Sequence, residues 1–324
     1  MARLRLHIQS FAHRPDLYRI TPERWAAAAA RHPELAARLD VTFDEEAGLA
    51  TAEIALGVPA DRSRLAARAP QLRWLHHAMA GVDALLPFDW LPPAVVLTNN
   101  RGAHGAKAQE YMRMAYTALN LGLTRMIANQ QARRWEQIFS PRLAGQTAVV
   151  LGLGDLGMAA VRAAGELGLN VIGVRRHARP CDGTGRTVTF DAIDSVLPAA
   201  DYVVLATPLT PETRGLLNAA RLRLMKPTAG VINIARAAVA DYDALMAALR
   251  EGRLAGAVLD VASPEPLPPD SPLWTTPNVL LTPHISCDDA ADYVAVSLDL
   301  WFANLARYVA NQPLAAVVDR RLGY

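Results

Sequence analysis

Three glycines, Gly152, Gly154 and Gly157, follow the apolar run Thr147–Leu151 (TAVVL) and open an amphipathic stretch over Asp155–Gly168. This spacing suits phosphate chemistry. The first glycine permits a tight turn, the second lets backbone approach a pyrophosphate, and the third lets a helix pack closely on a strand. Asp155 and Leu156 would begin that helix, where free N–H groups and the positive end of the dipole favour an anion. The glycine pattern alone is weak evidence. A strand before it, a helix after it and a second strand over Asn170–Val174 make it the signature of a dinucleotide site.

The end of that second strand selects the dinucleotide. An NAD site places a carboxylate there for the ribose 2′-hydroxyl, whereas an NADP site places a cation for the 2′-phosphate. Here Val174 is followed by Arg175, Arg176 and His177, with no carboxylate before Asp182. Guanidinium groups bind phosphate in a bidentate manner. The expectation is NADP(H) in preference to NAD(H), with NAD(H) also accepted.

A second constellation is dispersed: Arg236 in VINIAR, Glu265 in LDVASPEP and His284 in LLTPHIS. Each lies just past a hydrophobic strand, where open α/β sheets place their ligand crevice. Nothing local in the sequence brings the three together. Cys181 and Cys287 are the only thiols, too few for a disulfide framework and not at metal-ligand spacing, so no metal is expected.

The elements that must position these groups form two series. Strands are expected over Arg3–Ser10, Val41–Phe43, Ile54–Gly57 and Val95–Thr98, with helices over Thr21–Arg31 (Thr21 capping, Pro22 first) and Ala60–Ala69. After a long helix at Ala106–Gly122 the pattern restarts. Strand-length runs occur at Thr147–Leu151, Val171–Val174, Tyr202–Leu205, Gly230–Asn233, Ala257–Asp260 and Val279–Leu281, with further helices over Tyr242–Glu251 and Asp288–Asn311. Strands alternating with helices imply parallel sheets covered on both faces, an α/β protein with two doubly wound domains. With 324 residues and 52% hydrophobic side chains, each domain can bury its own core.

The charge balance, 33 basic against 31 acidic side chains, argues against a nucleic-acid or acidic-membrane binder. The N-terminus lacks the apolar segment of a signal peptide, and no run approaches the length needed to span a bilayer, so a cytoplasmic protein is expected.

Across essentially the whole chain the sequence resembles the D-isomer-specific 2-hydroxyacid dehydrogenase family, close to its glyoxylate/hydroxypyruvate reductases. The matching stretches are His77–Asp83 (HAMAGVD), Asn100–Gly102, Glu110, the glycine loop, Thr207–Asn218 (TPLTPETRGLLN), Met225–Arg236 (MKPTAGVINIAR), Asp260–Pro266 and Thr282–Ser286. The resemblance implies a Rossmann-type cofactor domain over 101–286. A smaller flavodoxin-like substrate domain would be formed by 1–100 and 287–324, with the active site between them. It implies that His284 is the acid–base group, that Glu265 orients and favours its imidazolium, and that Arg236 binds the substrate carboxylate and polarises the carbonyl. Backbone N–H groups of Met79, Ala80, Gly81 and Val82 would hold the other side of that carboxylate. Asp260 would bind the nicotinamide amide, while Thr207, Ile234 and Ala235 would line the cofactor.

Other residues near these motifs divide less sharply. His76 and His77 lie beside the carboxylate loop, and Cys287 beside the catalytic loop is expected to serve packing. Trp135 and its arginine-rich neighbours are expected either to form an arm of a homodimer, as in the family, or to lie on an exposed helix. Ala237 stands where the family usually has glycine after its arginine. The carboxylate loop lacks the lysine of the phosphite oxidisers, and the catalytic histidine lacks the following Gln of the formate oxidisers. The expected activity is NADP(H)-dependent reduction of a small ketoacid such as glyoxylate or hydroxypyruvate. The alternatives are an NAD-dependent sugar-acid or phosphoglycerate dehydrogenase and a nonenzymatic, dinucleotide-sensing corepressor-like protein.

Overall fold

The computed structural model describes residues 3–9, 15–43 and 45–324, so Ser10 of the first expected strand lies outside it. The chain forms two compact units, Met1–Ala103 with Asp289–Tyr324, and His104–Asp288. Among the described residues no helix is long and apolar enough to cross a membrane.

The first unit is built on five parallel strands, β1 (Leu4–Ile8), β2 (Leu39–Thr42), β3 (Ile54–Leu56), β4 (Trp74–His77) and β5 (Val96–Asn99). Their spatial order is β2-β1-β3-β4-β5, the flavodoxin-like order that reverses direction between β1 and β3. Side-chain alternation along each strand feeds two cores. Leu6, Ile8, Ile54, Leu56 and Trp74 face Trp25, Trp301 and Phe302 on one side, while Ala55, Leu75 and Leu97 meet Leu49 on the other. The Trp74 and Trp301 rings stack with centroids 5.3 Å apart. The Pro22–Arg31 helix starts as its sequence predicts: the Thr21 side chain accepts from Arg24 N at 3.3 Å.

Several elements differ from the sequence reading. β4 is an additional, interior strand; its WLHH sequence can be buried because Trp74 Nε1 and His76 Nδ1 both meet the Thr98 hydroxyl at 2.8 Å. The helix expected over Ala60–Ala69 shrinks to Leu65–Arg68. Asp61 accepts from both the backbone and the hydroxyl of Ser63, a local turn that competes with helix. The last helix runs Tyr293–Val309 rather than from Asp288, because Asp289 accepts from the N–H groups of Ala291 and Asp292 and closes a turn first.

His76 is thus a core residue. Burial pushes its pKa down to about 3, so it folds as neutral imidazole. Between that value and the ordinary 6.5 the unfolded chain holds a proton that the folded chain does not, and stability falls as pH drops below 6.5. Urea unfolding should show the wild type losing about 2 kcal/mol more between pH 7 and pH 5 than His76→Gln. Equal losses would place the proton uptake elsewhere.

The second unit carries seven parallel strands, β6 (Thr147–Leu151), β7 (Asn170–Val174), β8 (Arg186–Val188), β9 (Tyr202–Leu205), β10 (Gly230–Asn233), β11 (Gly256–Leu259) and β12 (Val279–Leu281). Their order is β12-β11-β10-β9-β6-β7-β8; the short edge strand β8 was not expected from sequence. Adjacent residues again supply opposite faces. Val149, Leu151, Val203, Leu205 and Val231 pack into one core, and Ala148, Val150, Val204 and Ile232 into the other. The sheet is therefore covered on both sides, and the strand order reverses at β6/β9, the place where such sheets bind dinucleotides.

Candidate active site

Each glycine of the β6 turn meets a different demand. Gly152 has φ +96°, which side-chain-bearing residues rarely adopt, and a Cβ there would lie 2.7 Å from Ala206 O. A Cβ at Gly157 would sit 1.8 Å from Gly152 O, so the Asp155–Glu166 helix reaches the turn only through a bare backbone. At Gly154 nothing lies within 4 Å, and Gly154 caps the helix without any side-chain hydrogen bond. That leaves an open backbone approach to the helix N-terminus. Across the switch point, Thr207 is 3% exposed and its Oγ1 is buried without a partner. A buried hydroxyl lacking a partner carries an energetic cost that a ligand atom would relieve. The turn, the open approach and the orphaned hydroxyl fit a dinucleotide phosphate group.

At the end of β7, Arg175 and Arg176 are both half-buried. Arg176 Nη2 pairs with Glu212 Oε2 at 2.8 Å, and that carboxylate is 63% exposed. An ion pair so open to water is weak and readily exchanged.

Arg236, Glu265 and His284 follow β10, β11 and β12, neighbouring parallel strands whose carboxyl ends adjoin. His284 Nδ1 lies 2.8 Å from Glu265 Oε2, with both side chains about 40% exposed. The carboxylate can only accept, so Nδ1 carries the proton and Nε2 is the atom left for exchange. Glu265 is itself held, its Oε1 accepting from Ala262 N at 2.9 Å. Arg236 Nη1 donates to Ala235 O at 2.8 Å, and Ile234 and Ala235 are buried in the same turn.

His284 adopts φ +56°, a left-handed conformation that costs a non-glycine residue about 1–2 kcal/mol. Asp260, 1% exposed, overcomes that cost. Its Oδ1 accepts from the Thr282 hydroxyl (2.6 Å) and Ile285 N (2.9 Å), its Oδ2 from Ser286 N (3.0 Å), and its carbonyl from His284 N (2.8 Å). Asp260 thus clamps the His284 loop, a task additional to the nicotinamide contact expected of it. Thr282 is also hydrogen-bonded to Tyr111 at 2.7 Å.

Sequence reasoning missed Asn233 and Tyr242. The fully buried Asn233 amide donates to Arg236 O and to the Tyr242 hydroxyl, both at 3.1 Å, and its Oδ1 accepts from Ala235 N. Tyr242 then donates to Val261 O at 2.8 Å. One amide and one phenol therefore tie the Arg236 turn to the loop that carries Glu265. Burial pushes the Tyr242 phenol up, which keeps it a donor. The available signal was an asparagine inside the otherwise apolar run GVIN.

Burial, then the neighbouring Asp288, pushes the Cys287 thiol up to about 12, which suppresses thiolate chemistry. Met79–Val82 belong to the first unit. Their loop is fixed there by Asn100 N donating to Met79 O (3.1 Å), Asn99 Nδ2 donating to Ala80 O (2.7 Å) and Tyr293 donating to Ala78 O (3.0 Å). Trp135 lies beyond the helix Leu123–Gln131 and is 96% exposed, with Phe139 at 86%.

A doubly wound sheet with a phosphate-binding turn and an imidazole–carboxylate pair at its carboxyl end defines a nicotinamide-dependent oxidoreductase. A model of the NAD binding domain of D-isomer specific 2-hydroxyacid dehydrogenases matches residues 114–286. A D-isomer specific 2-hydroxyacid dehydrogenase from Xanthobacter autotrophicus, in complex with NADPH and MES, is 32% identical with a TM-score of 0.85, covering 100% of both chains. An NADPH-dependent glyoxylate/hydroxypyruvate reductase from Sinorhizobium meliloti, in complex with NADP and sulfate, is 28% identical with a TM-score of 0.83, covering 99% of this chain and 100% of the other. Glyoxylate/hydroxypyruvate reductase A of Serratia proteamaculans is 34% identical over 60% of this chain and 61% of its own length. The chain belongs to the D-isomer specific 2-hydroxyacid dehydrogenases. It is an oxidoreductase that uses a nicotinamide dinucleotide.

Proposed function

We propose that the protein is an NADP(H)-dependent reductase of small 2-ketoacids of the glyoxylate/hydroxypyruvate type. The observation that carries this reading is the 2.8 Å His284–Glu265 pair, held at the carboxyl end of the sheet that also bears the dinucleotide turn. Bound NADPH supplies the hydride. Imidazolium at His284 donates its Nε2 proton to the carbonyl oxygen as the alkoxide develops, and Glu265 stabilises the positive ring beforehand. In the reverse direction neutral Nε2 takes the hydroxyl proton. Arg236 clamps the substrate carboxylate with a planar fork and polarises the carbonyl, a geometry lysine does not offer. Backbone N–H groups of Met79, Ala80, Gly81 and Val82 are the further carboxylate donors. The cofactor is held by the turn from Gly152 to Gly157, by Thr207, Ile234 and Ala235, and by Asp260 at the carboxamide.

Arg175 and Arg176 are the proposed 2′-phosphate ligands, the phosphate displacing the exposed Glu212 from Arg176. Binding of NADPH and NADP by the Xanthobacter and Sinorhizobium relatives supports this choice. A ketoacid panel assayed with both cofactors tests the whole reading. The expected result is turnover of glyoxylate or hydroxypyruvate with NADPH favoured over NADH, and a tenfold or greater loss of that preference in Arg175→Ala. Preference for NADH sinks the cofactor assignment, and no turnover of any ketoacid sinks the reaction. Exposed Trp135 and Phe139 are large apolar surfaces of the kind partners cover, and we assign them to a homodimer contact. Sedimentation of the same preparation as a 35.0 kDa species would refute it.

A further inference from the structure

A cavity of about 230 Å³ opens at the carboxyl end of the first unit's sheet, and its chemistry is not used by the reaction as described so far. Its walls come from the loops after β1 (Gln9), β3 (Val58, Arg62) and β4 (Met79), and from His77 at the end of β4. β1 and β3 are the neighbours between which strand order reverses, the place where open α/β sheets hold ligands. The polar groups in this wall favour one sign of charge. Among the described residues no aspartate or glutamate lines the cavity, while an arginine and a histidine do. Arg62 is fixed in place by neutral groups: its Nη1 donates to Ala84 O at 3.0 Å, and its guanidinium lies over the Trp90 ring, 5.4 Å from the centroid. A guanidinium immobilised without a carboxylate against it is prepared for an external anion, because its fork geometry is already set and no internal ion pair must break.

We propose that this cavity is a second anion subsite, in which Arg62 binds the far end of a dianionic 2-ketoacid. This inference rests on the ketoacid-reductase reading. Met79 belongs both to the proposed carboxylate loop and to the cavity wall, so a substrate held there by its first carboxylate extends its carbon chain into the cavity. The apolar side chains of Ile20, Val58 and Leu85 also line the cavity and would flank that chain. Glyoxylate, with no chain beyond its carbonyl, leaves the subsite empty. The shared chemistry is a second anionic group, whether carboxylate or phosphate.

The test compares kcat/KM of the full-length enzyme with NADPH for glyoxylate, oxaloacetate, 2-ketoglutarate and 3-phosphohydroxypyruvate. The wild type should favour at least one dianionic ketoacid over glyoxylate, and whichever ranks highest tells carboxylate from phosphate. Arg62→Met should lower the dianion-to-glyoxylate ratio of kcat/KM at least tenfold, chiefly through KM for the dianion, with Arg62→Lys intermediate. A wild type that favours glyoxylate over every dianion overturns the subsite without recourse to a variant. An unchanged ratio in Arg62→Met, with both substrates slowed equally, also overturns it and leaves Arg62 a structural residue. If no ketoacid turns over, the reaction itself is wrong and this inference falls with it. Turnover of glyoxylate alone removes only the subsite.

Discussion

Replacing His284 should lower kcat for ketoacid reduction by about 10²- to 10⁴-fold, with cofactor affinity little changed. The ring is the only titratable group in the TPHIS loop, and Glu265 on Nδ1 leaves Nε2 as the single exchangeable position. Alanine is a compromised probe here because φ at this residue is +56°, and alanine tolerates that backbone less well than histidine. Asparagine adopts the left-handed region readily and cannot exchange a proton near neutral pH. His284→Asn is therefore the cleaner variant. Single-turnover kinetics with saturating NADPH would separate the proton-transfer step from binding. A variant that keeps wild-type kcat would remove His284 from the mechanism. Glu265→Gln should act through the same ring. It weakens the hydrogen bond that orients Nε2 toward the substrate, so kcat should fall while the fold is retained.

The second large effect is expected at Gly157. A Cβ there would overlap Gly152 O at 1.8 Å, a clash between two backbone segments that no rotamer relieves. Gly157→Ala must push the Asp155–Glu166 helix away from β6 and should destabilise the protein by about 3 kcal/mol, together with a large loss of cofactor affinity. Gly154→Ala separates the two consequences. Its Cβ would meet nothing within 4 Å and its φ of −81° suits alanine, so the fold should keep its unfolding midpoint to within about 0.5 kcal/mol. The added methyl would nevertheless stand where a pyrophosphate approaches the backbone, and NADPH affinity should fall. Denaturant unfolding with and without NADPH distinguishes the pair. Equal midpoints for Gly157→Ala and wild type would show that the turn tolerates a methyl group and that the glycine spacing has another origin.

Local chemistry made much of the second unit legible. TAVVL, its glycines and the following helix are contiguous, so residue spacing alone fixes a strand, a turn and a helix N-terminus. The strands leading to Arg236 and Glu265 are buried on both faces, the edge strand leading to His284 is half-buried, and all three read as continuous apolar runs. The first unit was harder to read for the opposite reason. β4 carries two histidines in four residues, and only the Thr98 hydroxyl on the neighbouring strand makes burying Trp74 Nε1 and His76 Nδ1 affordable. That partner is 22 residues from His76 and leaves no trace in the local pattern. The helix expected over Ala60–Ala69 failed because Asp61 and Ser63 offer the backbone a competing turn.

The candidate site divides in the same way. Sequence by itself determined which residue types were available: a dinucleotide turn, two arginines where a 2′-phosphate would lie, and an arginine, a glutamate and a histidine each just past a buried strand. The tertiary structure alone decided that Glu265 and His284, 19 residues apart, meet at 2.8 Å, because strand order places β11 beside β12. It also decided that Asp260 spends its carboxylate on the backbone of the histidine loop, and that Asn233 and Tyr242 join the turns after β10 and β11. Sequence spacing records only neighbours along the chain. Hydrogen bonds across parallel strands depend on register and on which strands are adjacent, and folding sets both.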